Sequence, residues 1–270
     1  MPPFQKLNYM HLSIDDVIEI LQELELNDFQ SVWEHPIFAM LQRFNSQYGA
    51  VFSLYCFYET KDGQWKLDQL SNRFKDEFRG ASHWLRFGFH GKGYESQYGY
   101  SEDSIGPDVA SEHYSLVNNA ICTFASSAVI DTIPRIHFYK GTLETIRNWK
   151  ASMYGIKGLL TADDTRDEVY YLNQIQRAGL VKYDVYYDLE EQLYFIHTDL
   201  RLEHEENPID VLEARATNPQ HHEQQRSLCI FTHEDQLQEA SMILKIEDCC
   251  KWASNNGYRF SFPMDQVPIR

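Results

Sequence analysis

The chain has 270 residues, 43% of them hydrophobic and 14% aromatic, enough for a sizeable core in a single α/β domain spanning 1–270. With 24 Lys and Arg against 40 Asp and Glu, the formal net charge is −16, a field that repels phosphate backbones and anionic lipid, so neither nucleic acid nor a membrane is an expected partner. The opening MPPFQKLNYM lacks the basic-then-apolar pattern of a secretory leader, and no run approaches the ~20 apolar residues of a membrane span. The five cysteines show no C-x-x-C spacing, which argues against a disulfide framework or a thiolate zinc cage; the expected location is the cytoplasm.

In chain order, residues 8–14 read as a strand that leads directly into a helix over 15–26, with Val17, Ile18, Leu21 and Leu24 at helical spacing. Residues 50–59 are β-rich. Residues 65–78 read as a helix with Leu67, Leu70, Phe74 and Phe78 on one face, 83–90 as a strand and 111–129 as a helix. The pattern then predicts a strand over 133–141, a helix over 142–155 and a strand over 156–164 that ends in two acids. A hairpin over 180–203 turning at 189–192, a strand over 227–234, a helix over 235–255 and a short strand over 258–262 complete the series. Residues 203–226, which include His221 and His222, read as a polar surface loop. The alternation argues for an α/β fold with a mainly parallel sheet, and about seven strands suit a barrel.

In such sheets ligands sit at the carboxyl ends of the strands. Asp15 and Asp16, His90, Asp163 and Asp164, and His233 and Glu234 all fall at predicted strand ends, and Arg135, His137 and Tyr139 share one face of the strand 133–141. Imidazoles and a carboxylate with an open position make a divalent-metal site, while a second carboxylate serves as general base and a further histidine as general acid. Each residue also has a plainer role. Ser13 to Asp16 fits a capping box before an apolar run; His90 and His137 can be satisfied core histidines; Asp163–Asp164 and His233–Glu234 can start helices. His197, Asp199, Arg201 and Glu203 alternate along one face, which reads as a salt-bridged hairpin surface or a substrate-contacting edge.

The order of these motifs resembles the polysaccharide deacetylase superfamily, whose fold is an irregular (β/α) barrel of about seven strands; here the hairpin would be an insertion. LSIDDV is similar to the family's first motif, FGFHGKGYES to its H-x-x-x-H motif, the stretch from PRIHFY to TADD to its third and fourth motifs, and LCIFTHE to its last. The resemblance implies metal-dependent removal of an acyl group, N-acetyl first, from a carbohydrate. Asp15 would be the base, Arg135 its orienting partner, Asp16 and His90 metal ligands, and His233 the acid. Tyr94 stands where the motif has its second histidine, and His137 is the expected replacement ligand to a divalent cation, zinc first. Tyr139, Trp84, Asp164 and Tyr94 are the expected sugar contacts. The same barrel can also carry a catalytically inactive carbohydrate-binding or regulatory protein, or a glycoside hydrolase with paired carboxylates.

Overall fold

The computed structural model describes residues 8–164, 166–217 and 226–267. Three parallel strands form its spine: β1 (Asn8–Val17), β2 (Phe52–Phe57) and β3 (Leu85–Gly91). Between β1 and β2 run helices α1 (Glu19–Leu26) and α2 (Pro36–Tyr48), and between β2 and β3 the short α3 (Lys75–Gly80). After β3 come α4 (Pro107–Phe124), α5 (Leu143–Ala151) and β4 (Gly158–Leu160). Then follow α6 (Gln174–Tyr183), β5 (Val185–Asp188), β6 (Leu193–Ile196) and β7 (Leu200–Arg201). The chain continues through α7 (Pro208–Thr217), β8 (Arg226–His233), α8 (Ala240–Asn255), β9 (Arg259–Phe260) and α9 (Pro263–Gln266).

One sheet has the order β3-β2-β1-β8-β7, with β9 also paired to β1, and a second has the order β4-β6-β5. Every pairing is parallel except β5 with β6, the inserted hairpin. Two links join the sheets. On one side β6 runs on into β7, and Asp199 N–H already bonds Cys229 O of β8. On the other, the extended segment 131–134 lies between β3 and β4. Asp131 N–H donates to Phe87 O, while Lys157 and Leu160 N–H donate to Thr132 O and Pro134 O. The connections run round through β1, β2, β3, 131–134, β4, β6–β7 and β8, the irregular α/β barrel.

Several predicted elements take a different form. The stretch 133–141 holds a strand's place without a strand's ladder. Pro134 has no N–H to give, and side chains take over the pairing: Tyr55 O–H donates to Ile133 O, Ile136 N–H donates to the Tyr170 hydroxyl, and Arg135 O accepts from His90 Nδ1. Beyond it, 137–139 is a tight 3₁₀ turn. Residues 65–78 are not one helix but a 3₁₀ turn at Leu67–Gln69 followed by α3. Residues 180–183 belong to α6, so the hairpin is confined to 185–196. The polar stretch 203–226 contains α7, and His221 and His222 lie outside the described residues. Residues 27–48, to which the apolar pattern assigns no element, contain α2. It has Pro36 in its first turn, His35 Nδ1 accepting from Ile37 N–H, and Gly49 at φ +73° as its stop.

Burial follows the layers. The large cluster of apolar side chains fills the space between strands and helices, and a separate small one lies inside the barrel: Tyr55, Ile133, Leu160, Tyr194, Ile196 and Cys229. Gly88 makes room there, because a Cβ at that position would stand 2.9 Å from the Tyr55 ring. The interior also holds a polar string in which Ser53 donates to Asp131 (2.5 Å) and bonds His11 Nε2 (2.9 Å).

The first helix is capped from a distance. Its own N-cap, Ile18, offers no side chain, and neither Ser13 nor Asp16 caps it. Instead the buried carboxyl group of Glu234, one residue beyond β8, accepts from the N–H groups of Ile18, Glu19 and Ile20 at 2.9–3.2 Å. The aspartates that end β1 are thereby freed from capping. Glu234→Ala should strand these three donors and cost about 2–4 kcal/mol in urea denaturation; a loss below about 1 kcal/mol would show that the cap is dispensable.

Candidate metal centre and active site

Adjacent residues on a strand point to opposite faces, yet Asp15 and Asp16 both serve one strand end. A bulge makes this possible. The register with β2 slips between Ile14 and Val17, and Asp16 adopts φ +62°. Asp15 keeps its inward direction, and Asp16 is turned over the barrel mouth. A second slip, between Phe89 and Gly91, makes His90 the extra residue of β3. Bulges beside functional sites commonly re-aim a side chain in this way.

His90 Nε2 lies 3.0 Å from Asp16 Oδ1, His137 Nδ1 lies 3.6 Å from the same oxygen, and the two ring nitrogens are 3.2 Å apart. Their other nitrogens fix the tautomers. His90 Nδ1 is 2.6 Å from Arg135 O, and His137 Nε2 is 3.0 Å from Tyr94 O. A carbonyl only accepts, so in the neutral rings those nitrogens carry the protons, and the facing nitrogens carry lone pairs. Burial, followed by the neighbouring His90, lowers the His137 pKa to about 3, so this ring stays neutral. Asp16 Oδ1 makes no hydrogen bond of acceptable geometry to any described residue. One carboxylate oxygen and two imidazole nitrogens therefore converge, the donor set a divalent cation requires. Phe57 lies under both imidazoles, with ring centroids 5.1 Å from His90 and 5.0 Å from His137.

Beside this cluster Asp15 accepts from Arg135 Nη1 at 2.9 Å, and both side chains are almost wholly buried. Arg135 also donates to Ser13 and Thr198 and lies over the Phe231 ring. Burial opposes its charge, but Asp15, with smaller contributions from Tyr139 and Tyr55, more than offsets burial and raises its pKa, so the guanidinium is fixed as a cation. His233 is the register partner of Asp15 across β1 and β8, and its Nδ1 is hydrogen-bonded to Glu203. Burial opposes the imidazolium; Glu203, then Asp15 and Asp16, more than compensate, and the His233 pKa is raised above 6.5. Glu203 responds oppositely: burial raises its carboxyl, but His233 prevails and lowers it below 4.5.

The expected sugar contacts divide. Tyr94 sits at the mouth with its ring 4.7 Å from Phe57 and its carbonyl on His137. Tyr139 is buried, donates to Asp163 (3.2 Å) and lies beneath the Arg166 guanidinium (4.4 Å), so its face is already covered. Asp164 is held by both ends of Arg166 at 2.6 and 2.7 Å. Trp84 is not a mouth residue: it precedes β3 at the barrel's opposite end, is 5% exposed, and packs on Trp33 in the core. Of the alternating set, Glu203 reaches His233, and Arg201 Nη2 lies 3.5 Å from Asp163. Phe138 joins the site without any signal in the sequence pattern. It is 41% exposed, lies against His137, and with Tyr139 forms two successive left-handed residues (φ +57° and +58°), each a strain of about 1–3 kcal/mol.

No protein-family model matches the sequence, and no curated protein matches it significantly. Among solved structures the chain is similar to a family 4 acetyl xylan esterase from Clostridium thermocellum in complex with a cobalt ion, at 12% identity and TM-score 0.49, over 97% of this chain and 93% of that one. It is similar to a T48 deacetylase with substrate, at 10% identity and TM-score 0.48, over 94% and 88%. A peptidoglycan deacetylase from Bacillus subtilis is similar at 9% identity and TM-score 0.46, over 98% and 92%.

A raised His233 pKa means that the pair's stabilisation is complete at low pH as far as the histidine is concerned and is lost as pH rises through the raised value. The depressed Glu203 sets the acid limit, where the same stabilisation is lost as pH falls through its lowered value. In metal-free protein followed by NMR, Glu203→Gln should lower the His233 pKa by about 1–3 pH units; an unchanged titration would show that Glu203 does not set it.

Proposed function

We propose that the chain is a metal-dependent hydrolase that removes an acyl group, N-acetyl first, from a carbohydrate. The observation that carries this reading is the convergence of three potential ligand atoms, from Asp16, His90 and His137, beside two separate acid–base pairs, Asp15–Arg135 and His233–Glu203. The order of motifs along the sequence supports the same assignment.

Asp16, His90 and His137 hold the cation, with His137 taking the place that Tyr94 leaves vacant in the family's H-x-x-x-H pattern. Two neutral imidazoles with one carboxylate suit zinc. When bound, such an ion polarises an acyl carbonyl and lowers the pKa of water. Asp15 receives the proton of the attacking water; Arg135 occupies Oδ1, so the proton goes to Oδ2, and the guanidinium keeps the carboxylate in one orientation. His233, whose proton affinity Glu203 raises, gives its proton to the departing amine or alcohol. Phe57 and Tyr94 pack ring against ring, 4.7 Å between centroids, as an apolar wall beside the two histidines. The five free thiols fit a reducing compartment, and we place the protein in the cytoplasm on that ground.

Acetate release from N-acetylated and O-acetylated oligosaccharides by the zinc-loaded protein tests this function. Asp15→Asn should cut kcat by about 10²–10⁴-fold while leaving zinc content unchanged. Equal rates in wild type and variant, or a zinc-loaded protein that releases no acetate from any acetylated sugar, would contradict it.

A further inference from the structure

The ligand His137 is carried by an expensive piece of backbone, and the question is what holds it. The turn 137–139 contains two successive non-glycine residues in the left-handed region, both aromatic: Phe138 (φ +57°, ψ +6°) and Tyr139 (φ +58°). A side chain with a Cβ seldom remains there unless its surroundings over-determine it. Most supports of the turn are buried. Tyr170 N–H donates to Tyr139 O at 2.8 Å, and the Tyr170 hydroxyl accepts from Ile136 N–H and donates to Leu160 O. One support is different. Arg166 comes from the surface, its side chain 27% exposed, and grips the turn in two ways. Nη1 donates to Phe138 O at 3.3 Å, and the guanidinium plane lies 4.4 Å above the Tyr139 ring. Nε and Nη2 are taken by the two oxygens of Asp164, so the fork is fixed before it reaches the turn.

We infer that Arg166 is a positioning residue for the metal centre: it clamps Phe138 and Tyr139 in the left-handed conformation that brings His137 Nδ1 to His90 and Asp16. The inference rests on the metal-binding reading above. His90 needs no such clamp, because its strand and the Arg135 carbonyl hold it. His137 stands outside any regular ladder and is aimed by the strained turn, the Tyr94 carbonyl and ring contacts with Phe57 and Phe138. The flat, forked guanidinium suits this role, because a lysine in its place keeps the charge but cannot stack on Tyr139, bind Asp164 in two places and reach Phe138 O together. A clamp that contributes to geometry more than to folding leaves a distinctive trace. Removing it releases strain in the metal-free protein while spoiling the bound state.

Zinc affinity of the full metal-free chain, measured by competition with a chromophoric chelator, is read beside the melting temperature of the same metal-free samples. Arg166→Ala and Arg166→Lys should each weaken zinc binding by about 10–100-fold with the metal-free melting temperature unchanged or raised. Phe138→Gly placed in the Arg166→Ala background should recover part of the lost affinity, because glycine meets no left-handed penalty. Zinc binding in Arg166→Ala as tight as in wild type overturns the inference and leaves the metal site standing. So does an affinity loss matched by a fall in the metal-free melting temperature with no recovery from Phe138→Gly. A wild-type protein that takes up no zinc overturns the metal reading itself and the clamp with it.

Discussion

The constraint on which the rest of the site depends is electrostatic: a carboxylate oxygen and two imidazole nitrogens face one another at 3.0–3.6 Å, and the other ring nitrogens are turned away toward carbonyls. With both rings neutral, lone pairs held at that distance repel, and burial intensifies the repulsion because water cannot screen it. The fold maintains the arrangement through devices that each break a local rule. Asp16 sits in a left-handed bulge, His90 is an extra residue in its strand, and His137 follows a segment that surrendered its ladder to side chains. Strain of this kind concentrates where function requires it.

The two flanking pairs divide the labour by their surroundings. Arg135 is locked as a cation inside the barrel, so Asp15 is held as its counter-ion with a fixed orientation. Glu203 does the reverse for His233, raising an imidazole's proton affinity at the rim. Asp15 and His233 stand opposite each other across β1 and β8, and each is held by a partner from another segment of the chain, Arg135 and Glu203. In the same way Glu234 caps α1 from across the sheet, which is why two adjacent aspartates at the start of a helix need not be its cap.

What is legible in the sequence is the part that local pattern encodes. The alternation of apolar runs marks β1, β2, β3 and β8 within a few residues, and the acids and histidines at strand ends are visible as such because a parallel sheet brings those ends to one side. Three kinds of information are not local. The 133–141 stretch has strand composition, but Pro134 and the left-handed Phe138 and Tyr139 turn it into an extended link and a tight turn. The Glu203–His233 and Glu234–α1 contacts join residues 30 and more than 200 positions apart, and no periodicity announces them. Trp84 shows the converse error: an aromatic beside a strand says nothing about which end of the strand it flanks, and this one lies in the core away from the mouth. The helix α2 does carry its signals, Pro36 and Gly49, but they mark a scaffold element and none of them points to chemistry.

The most direct measurement of the central claim is bound metal per chain, by elemental analysis after dialysis against zinc, for wild type and His137→Ala side by side. The account predicts about one ion per wild-type chain, as an Asp–His–His site requires, and its loss in the variant while the far-ultraviolet spectrum is unchanged. Zinc retained in His137→Ala, or none in the wild type, would contradict it.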